Sequence, residues 1–332
     1  MRYIIYGPGA IGGLMAGLLH ETGHDIIAVA RGLHYERLHR DGMLLIGPDG
    51  KQTIPINVVQ SADDLSWTSN DAIICAVKSQ DTEGVLAACT PTAPPDTPFI
   101  CAQNGVANEQ LALRFFPHVY GMCVFLPAEH LAPGTVTYYS SPIPGVLDIG
   151  RAGGGTDSTS YEIATDFSAA GFSCRTTDNV LSWKYAKLLN NLGNAVDAIS
   201  AEAVQDGTVY RRARDEALQV YAACGIVPVT EEEAHERRSI LSPPREIADA
   251  PRGGSSTWQS LATHASRTEV DYLNGEIVLL GRQHGISTPI NATLQRLVWS
   301  MAHTKGIPGS MSLAELNNAI DNAVLRDSLH VR

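Results

Sequence analysis

The sequence has no Cys-x-x-Cys pair. Its six cysteines, Cys75, Cys89, Cys101, Cys123, Cys174 and Cys224, are scattered and stand in no spacing with histidine that suits a zinc site. A disulfide framework and a bound metal are not expected, and the thiols read as reduced and mostly buried. No stretch approaches the roughly 20 apolar residues that a membrane-spanning helix needs. The opening MRYIIYGPGAIGG also lacks the basic region and separate apolar core of a signal peptide. The resulting expectation is a cytoplasmic protein with no membrane partner. Positive charge is scarce as well: 24 Lys and Arg against 35 Asp and Glu give a formal net charge of −11. Nucleic acid is therefore not an expected partner, because phosphate-backbone binding is built from many cations on one face. A local cluster can still hold one phosphate, since a site responds to near charges more than to the total. Internal repeats and low-complexity tracts are missing too, which argues against a solenoid or a disordered array.

What remains is an ordinary globular composition, 44% hydrophobic and 18% charged over 332 residues, long enough for two domains at a prior of about 150 residues each. Residues 2–6 are β-rich, glycines follow, and apolar residues then recur at helical spacing over 10–21. A second strand is expected over 24–30, a short helix over 35–40, and further strands over 72–77 and 99–102, each followed by a helix-like segment. Repeated strand and helix of this kind build a parallel sheet. Between about Gly121 and Gly150 the pattern alternates and is punctuated by Pro and Gly, which predicts antiparallel strands, Thr135 to Tyr139 among them, on the far edge of that sheet. A helix is predicted over 160–170. Beyond Thr177 strand signals fade, and helical spacing covers 181–203, 209–224, 269–284 and 292–303. The polar segment 228–254, with its charged run from Glu231 to Arg238 and the Pro243-Pro244 pair, reads as a surface helix and loop with a solvated face. The fold class is α/β: a domain over 1–178 with a mostly parallel sheet, then an all-helical domain over 179–332.

The segment Gly7-Pro8-Gly9-Ala10-Ile11-Gly12 fits G-x-G-x-x-G and lies between the first strand and the first helix, where a dinucleotide fingerprint must lie. Gly7 permits the tight turn, Gly9 lets the backbone approach a diphosphate, and Gly12 lets helix and strand pack closely. The phosphates would sit at the positive helix N-terminus, which makes the first domain Rossmann-type. Sites that prefer NAD place an acidic residue about 20 residues after the motif, on the ribose hydroxyl. Arg31 stands there instead, and a guanidinium can grip a 2′-phosphate, so NADP is the expected cofactor. Arg37 is a weaker second candidate.

In the helical half, Lys187, Asn191 and Asn194 are spaced at i, i+4 and i+7 and share one face of a helix. Amides are poor helix formers and need partners when buried. A polar small-molecule site supplies them, although a solvated helix face with capping asparagines explains the spacing equally well. A second cluster comprises Ser255, Ser256 and Thr257 after Gly253-Gly254, then Thr268-Glu269-Val270-Asp271-Tyr272. Ser266 and Glu269 have capping-box spacing, so a new helix is expected to start there. One unbroken helix would hold Thr257 and Glu269 about 18 Å apart, too far to share a small substrate. Capping alone also accounts for Glu269.

Taken in order, these residues resemble the ketopantoate reductase family, within the wider 6-phosphogluconate dehydrogenase-like group. The likeness spans nearly the whole chain: the glycine motif, Arg31, Ala76-Val77-Lys78, Gln103-Asn104-Gly105-Val106, the Lys187 helix, the Thr268 to Tyr272 segment, and His284-Gly285-Ile286-x-x-Pro289. The resemblance implies reduction of 2-dehydropantoate, or a close 2-keto acid, by NADPH, as in pantothenate biosynthesis. It implies that Arg31 and Lys78 hold the cofactor's phosphate side and that Asn104 lies near nicotinamide and substrate. Lys187 would polarise the keto oxygen and give it a proton, in competition with Lys184; Lys187 is preferred because Asn191 follows it by four. Asn191, Asn194, Ser256 and Thr257 would hold the substrate's polar ends, and Glu269 would bond its hydroxyl or orient Lys187. The family also makes a homodimer a reasonable expectation. The chain departs from the pattern where members acting on ketopantoate often carry a second Asn eight residues after the lysine, followed by Pro; Ala195 stands there, and Asn194 is one place early. A dehydrogenase of another hydroxy or amino acid, opine-like compounds included, therefore stays open, as does a non-catalytic NADP(H) sensor.

Overall fold

Tyr3, Ile4 and Ile5 are wholly buried in the strand β1 (Arg2–Tyr6), as a central parallel strand covered on both faces requires. The structure, a computed structural model, describes residues 1–247 and 253–330. From β1 the chain turns through the glycines into α1 (Ala10–Glu21) and continues through β2 (Ile26–Val29), α2 (Gly32–Asp41), β3 (Met43–Gly47), β4 (Gly50–Ile54) and β5 (Asn57–Val59). There follow β6 (Asp71–Cys75), α3 (Thr82–Cys89), β7 (Phe99–Cys101), α4 (Ala107–Ala112), β8 (Val119–Phe125), β9 (Ala128–Glu129), β10 (Thr135–Tyr138), β11 (Val146–Arg151), α5 (Ser158–Ala169), β12 (Ser173–Thr176) and α6 (Val180–Asn191).

The main sheet has eight strands in the order β12-β11-β8-β7-β6-β1-β2-β5, parallel throughout except where β8 meets β11. Two apolar layers cover it, one centred on Leu14, Met15, Tyr3 and Ile5, the other on Ile4, Ile73, Leu86 and Phe99. The segment 135–139 does not lie on this sheet's edge as the alternation predicted. It belongs to a separate four-stranded sheet, β4-β3-β10-β9, in which β10 runs parallel to β3. Alternation reports that a strand has one covered face, not which sheet provides the cover. The hairpin β3/β4 went unread, although Gly47-Pro48-Asp49-Gly50 is a turn signal.

The chain divides into two units, Met1–Lys184 with Thr230–Arg252, and Tyr185–Val229 with Gly253–Arg332. The helical unit holds α7 (Gly193–Ile199), α8 (Ala201–Asp206) and α9 (Thr208–Cys224). After α10 (Glu231–Ser239), which belongs to the first unit, come α11 (Ser256–Ala262), a 3-10 turn (Glu269–Tyr272), α12 (Asn274–His284), α13 (Pro289–Thr304) and α14 (Leu313–His330). The single helix expected over 181–203 is three: Leu192 breaks the first from the second, and Ser200, bridged to Ser310, breaks the second from the third. The cap expected from Ser266 is made instead by Thr268, whose hydroxyl accepts the Val270 N–H, and the long helix starts only at Asn274. The unread α14 carries its own signal, because Leu316, Ile320 and Ala323 recur at helical spacing and are buried.

The charged run 231–238 is mostly exposed, yet Arg237 within it is not. Only 4% exposed, it binds Asp148 Oδ1 at 2.8 Å, the Ser173 hydroxyl at 2.8 Å, and the carbonyls of Ser173 and Leu147. This fastens α10 onto β11 and β12. Arg175, half exposed, is the other cation on Asp148. Removing Arg237 leaves the buried Asp148 with only the half-exposed Arg175, so Arg237→Ala should lower stability by roughly 3 kcal/mol, read by chemical denaturation; a loss under about 1 kcal/mol would mark α10 as a loosely held surface helix.

Candidate functional site

The glycine turn is built as its spacing demands. Gly7 adopts φ +77°, in the left-handed region, and a Cβ there would meet Val77 Cγ1 at 2.8 Å. A Cβ at Gly12 would stand 2.5 Å from the Gly7 carbonyl oxygen and 2.9 Å from Ala76 Cβ, so α1 can lie this close to β1 only without one. Gly9 differs: the nearest protein atom to a Cβ there is His130 Cδ2, at 3.7 Å, an ordinary contact. That side of the turn is open. No side chain caps α1 and no acidic residue stands in its first turn, so its leading N–H groups are left for an anion.

The parallel order β7-β6-β1-β2 brings the C-terminal ends of these four strands to one edge of the sheet. Gly7, Arg31, Lys78 and Asn104 follow those ends, so the structure places four of the sequence-predicted residues along one line, where open α/β sheets bind ligands. Arg31 is exposed at the head of α2 and lines an open pocket of about 740 Å³ with Tyr35, Val59, Gln60, Ser61 and Asp64. The carboxylate of Asp64 is engaged in a capping box with Ser61, whose N–H and hydroxyl it accepts. Lys78 is exposed at the start of a 3-10 turn.

Asn104 is held by a buried polar network centred on Asn108, which no sequence motif singles out. The Asn108 amide donates to the Ser79 hydroxyl at 3.1 Å and to the Asn104 carbonyl at 3.3 Å, Thr82 donates to Asn108 Oδ1 at 2.8 Å, and Gln103 donates to Thr82. Asn108, Gln103 and Thr82 are all buried. A run of buried polar residues within about one turn of a strand end was the available signal.

In the helical unit, Lys187 and Asn191 share a face of α6, while Asn194 falls in the first turn of α7, past the break at Leu192. A buried polar chain joins that break to the helices around it. Glu216 on α9 caps α13, accepting the N–H groups of Ile290 and Asn291 at 2.9 and 2.8 Å. Asn291 accepts from the Asn274 amide at 3.0 Å, and Asn274 reaches the Leu192 carbonyl at 3.5 Å. Burial pushes the Glu216 carboxyl up, against the pull of these N–H donors. Two side-chain oxygens, Asn191 Oδ1 and Asn274 Oδ1, are buried without a partner among the described residues. Oxygens left so are acceptors for a ligand's hydroxyl or ammonium group.

The break also positions Asn194. Its carbonyl accepts the Ser255 hydroxyl at 3.2 Å, and Ser255 N–H donates to Asp197 Oδ2 at 2.6 Å, which brings the head of α11, with Ser256 and Thr257, against α7. Thr257 is almost wholly buried and Ser256 partly exposed. Glu269, 4% exposed, follows the Thr268 cap, five residues before Asn274. Lys184 is placed quite differently. Its ammonium is ion-paired with Glu109, with side chains 2% and 0% exposed, inside the first unit. Lys187, partly exposed on the next turn of α6, belongs to the helical unit.

Comparison with known proteins supplies the wider setting. Residues 3–154 match the family model described as ketopantoate reductase PanE/ApbA, and residues 179–302 match that of its C-terminal part. The 2-dehydropantoate 2-reductase of Pyrococcus horikoshii is 26% identical over 304 residues, covering 90% of this chain and 96% of its own. A PanE/ApbA family ketopantoate reductase from Ralstonia eutropha superposes with a TM-score of 0.76 at 28% identity, over 92% of this chain and 99% of its own. D-mandelate dehydrogenase, solved with NADH and anilino(oxo)acetate, superposes at 0.78 over 92% and 99%, and at 21% identity this likeness speaks of the fold alone. Among the described residues no helix is long and apolar enough to cross a membrane, and no group of His, Cys, Asp or Glu could hold a metal ion.

The glycines make separable predictions. Gly9→Ala meets no close protein atom and should keep the melting temperature within about 2 °C while weakening dinucleotide binding about tenfold or more. Gly12→Ala drives a methyl group into backbone and should lower stability by about 1–3 kcal/mol. Thermal melts and a fluorescence titration of the reduced cofactor read both; equal effects from the two variants would refute the assignment.

Proposed function

We propose that this chain, which belongs to the ketopantoate reductase family, reduces 2-dehydropantoate or a closely related 2-keto acid to the 2-hydroxy acid with NADPH. The supporting observation is the contrast between the two lysines of α6: Lys184 is buried on Glu109, whereas Lys187 stands one turn before Asn191, whose amide oxygen is buried without a partner among the described residues. The cation suits the keto oxygen, and the open acceptor suits a hydroxyl of the substrate.

The nicotinamide, when bound, supplies the hydride. Negative charge then grows on the keto oxygen, and the Lys187 ammonium stabilises that charge and gives up its proton to it. Asn191, Asn194, Ser256 and Thr257 bind the substrate's carboxylate and hydroxyl ends, and Glu269 orients Lys187 or accepts the substrate hydroxyl. Arg31 grips the 2′-phosphate, which an acidic residue at that strand end would repel. Lys78 adds positive charge on the same edge, and Asn104, fixed through Asn108 and Ser79, faces the reacting groups. Six unbonded thiols, four of them buried, accord with the cytoplasmic location that goes with this activity.

A second substrate class has one observation in its favour. Asn194 lies beyond the break at Leu192 and Ala195 is fully buried, so the amide opposite Asn191 is displaced relative to the family pattern. A hydroxy acid with a differently shaped tail would suit it.

Absorbance of NADPH followed with a panel of 2-keto acids separates the readings: turnover of ketopantoate supports the first, turnover of another acid alone supports the second, and tight NADPH binding with no turnover leaves a sensor. Lys187→Ala should cut kcat by about 10²- to 10⁴-fold with NADPH affinity retained; an unchanged kcat would remove Lys187 from the mechanism. Arg31→Asp should weaken NADPH about tenfold more than NADH, and an unaltered preference would take Arg31 out of the site.

A further inference from the structure

Among the described residues, the one side chain within 4 Å of a Cβ built at Gly9 is the imidazole of His130. His130 follows β9, and the small second sheet fixes it there. Glu129 and Ala128 pair with Thr137 and Tyr138 of β10, and His130 Nδ1 lies 2.9 Å from the Thr135 carbonyl. A carbonyl only accepts, so Nδ1 carries a proton. Its Nε2 has no partner among the described residues, and Cδ2, the ring atom next to it, is the one nearest Gly9.

A second histidine fixes the ring's other side. His34 Nε2 donates to the Pro8 carbonyl at 2.9 Å, and its Nδ1 accepts the Gly134 N–H at 2.9 Å. Both nitrogens of His34 are committed in the neutral form. Burial, together with the neighbouring His130, holds it below the usual histidine range, although the Pro8 carbonyl pulls the other way. The two rings stand 4.4 Å apart. His34 thus ties the glycine turn to the turn that carries His130.

Relying on the dinucleotide reading above, we propose that His130 is a ligand of the cofactor's diphosphate, binding it as an imidazolium through Nε2. With Nδ1 already donating to Thr135, Nε2 can donate to a phosphate oxygen only by taking up a proton. Of the groups around the ring, the Thr135 carbonyl and the Glu129 carboxylate suit an imidazolium and the Arg37 cation opposes it, so the charge calls for an anion. From α2 come the neutral His34 and Arg37, whose Cβ lies beside Gly134; the first turn of α1 has no acidic residue; β10 offers a carbonyl; and the Glu129 carboxylate accepts the Tyr139 hydroxyl at 2.7 Å. The diphosphate is the counter-charge that the imidazolium needs, and binding it should draw a proton from solvent.

Calorimetric titration of the full chain with NADPH, in buffers of differing ionisation enthalpy at about pH 7.5, measures that proton. The wild type should take up a substantial fraction of one proton per cofactor bound. His130→Ala should abolish the uptake and weaken NADPH by about ten- to a hundredfold, while adenosine 2′-monophosphate, which has no diphosphate, should bind within about twofold of wild type. Should His130→Ala fail to fold, His130→Gln, which keeps a neutral donor, must still lose the proton uptake. Unchanged uptake in either variant overturns the proposal, as does an equal loss of affinity for NADPH and adenosine 2′-monophosphate, which would make His130 merely structural. A wild type that binds neither NADPH nor NADH overturns the dinucleotide reading along with it.

Discussion

The missing side chain of Gly12 lets α1 begin within van der Waals reach of the strand that precedes it, and the first unit is arranged around that contact. With the Gly7 carbonyl 2.5 Å from where a Cβ would stand, no side chain fits between the helix and the turn. Everything else at that edge is registered to this seat: Val77 against Gly7, His34 on the Pro8 carbonyl, and Val136 of the second sheet against Gly13. The small sheet, whose Met43, Leu45, Ile54 and Val136 are buried in the same apolar cluster as Leu14 and Met15, packs on α1 and holds His130 over the open flank of the turn. Its place in the fold is thereby explained without any ligand of its own.

The helical unit uses a different device. Its polar interior is a chain of amides and one carboxylate, from Glu216 through Asn291 and Asn274 to the Leu192 carbonyl. Burying such groups costs stability unless each is bonded. The chain meets that cost by capping α13 and by receiving the carbonyl freed where α6 breaks. The break itself places Asn191 and Asn194 on separate helices, and two amide oxygens at that junction remain buried without partners among the described residues. The buried polar chain and the two open acceptors therefore meet near Leu192.

Legibility followed range. β1 and α1 were read to within their observed bounds because strand composition, the glycine motif and the apolar spacing all act over a few residues. The parallel sheet and the helical second half were legible for the same reason. The breaks at Leu192 and Ser200 were not: Gly193 marks the first, but the helical spacing runs on past it, and the partners at the two breaks, Asn274 and Ser310, are distant in the chain. Nor was the burial of Arg237, whose charged neighbours are solvated while it alone reaches Asp148.

The sequence by itself determined the groups on offer: a glycine turn between the first strand and the first helix, a guanidinium after the second strand, a lysine and asparagines at helical spacing, and membership of the ketopantoate reductase family. Tertiary structure decided where those groups are placed. Lys184 and Lys187 are equivalent as letters, yet the first is paired with a carboxylate 75 residues away. His130, unremarkable in its own segment, acquires a place beside Gly9 because a second sheet folds across α1. Local propensity depends on neighbours in the chain, whereas burial and pairing depend on neighbours in space, and only folding supplies the latter.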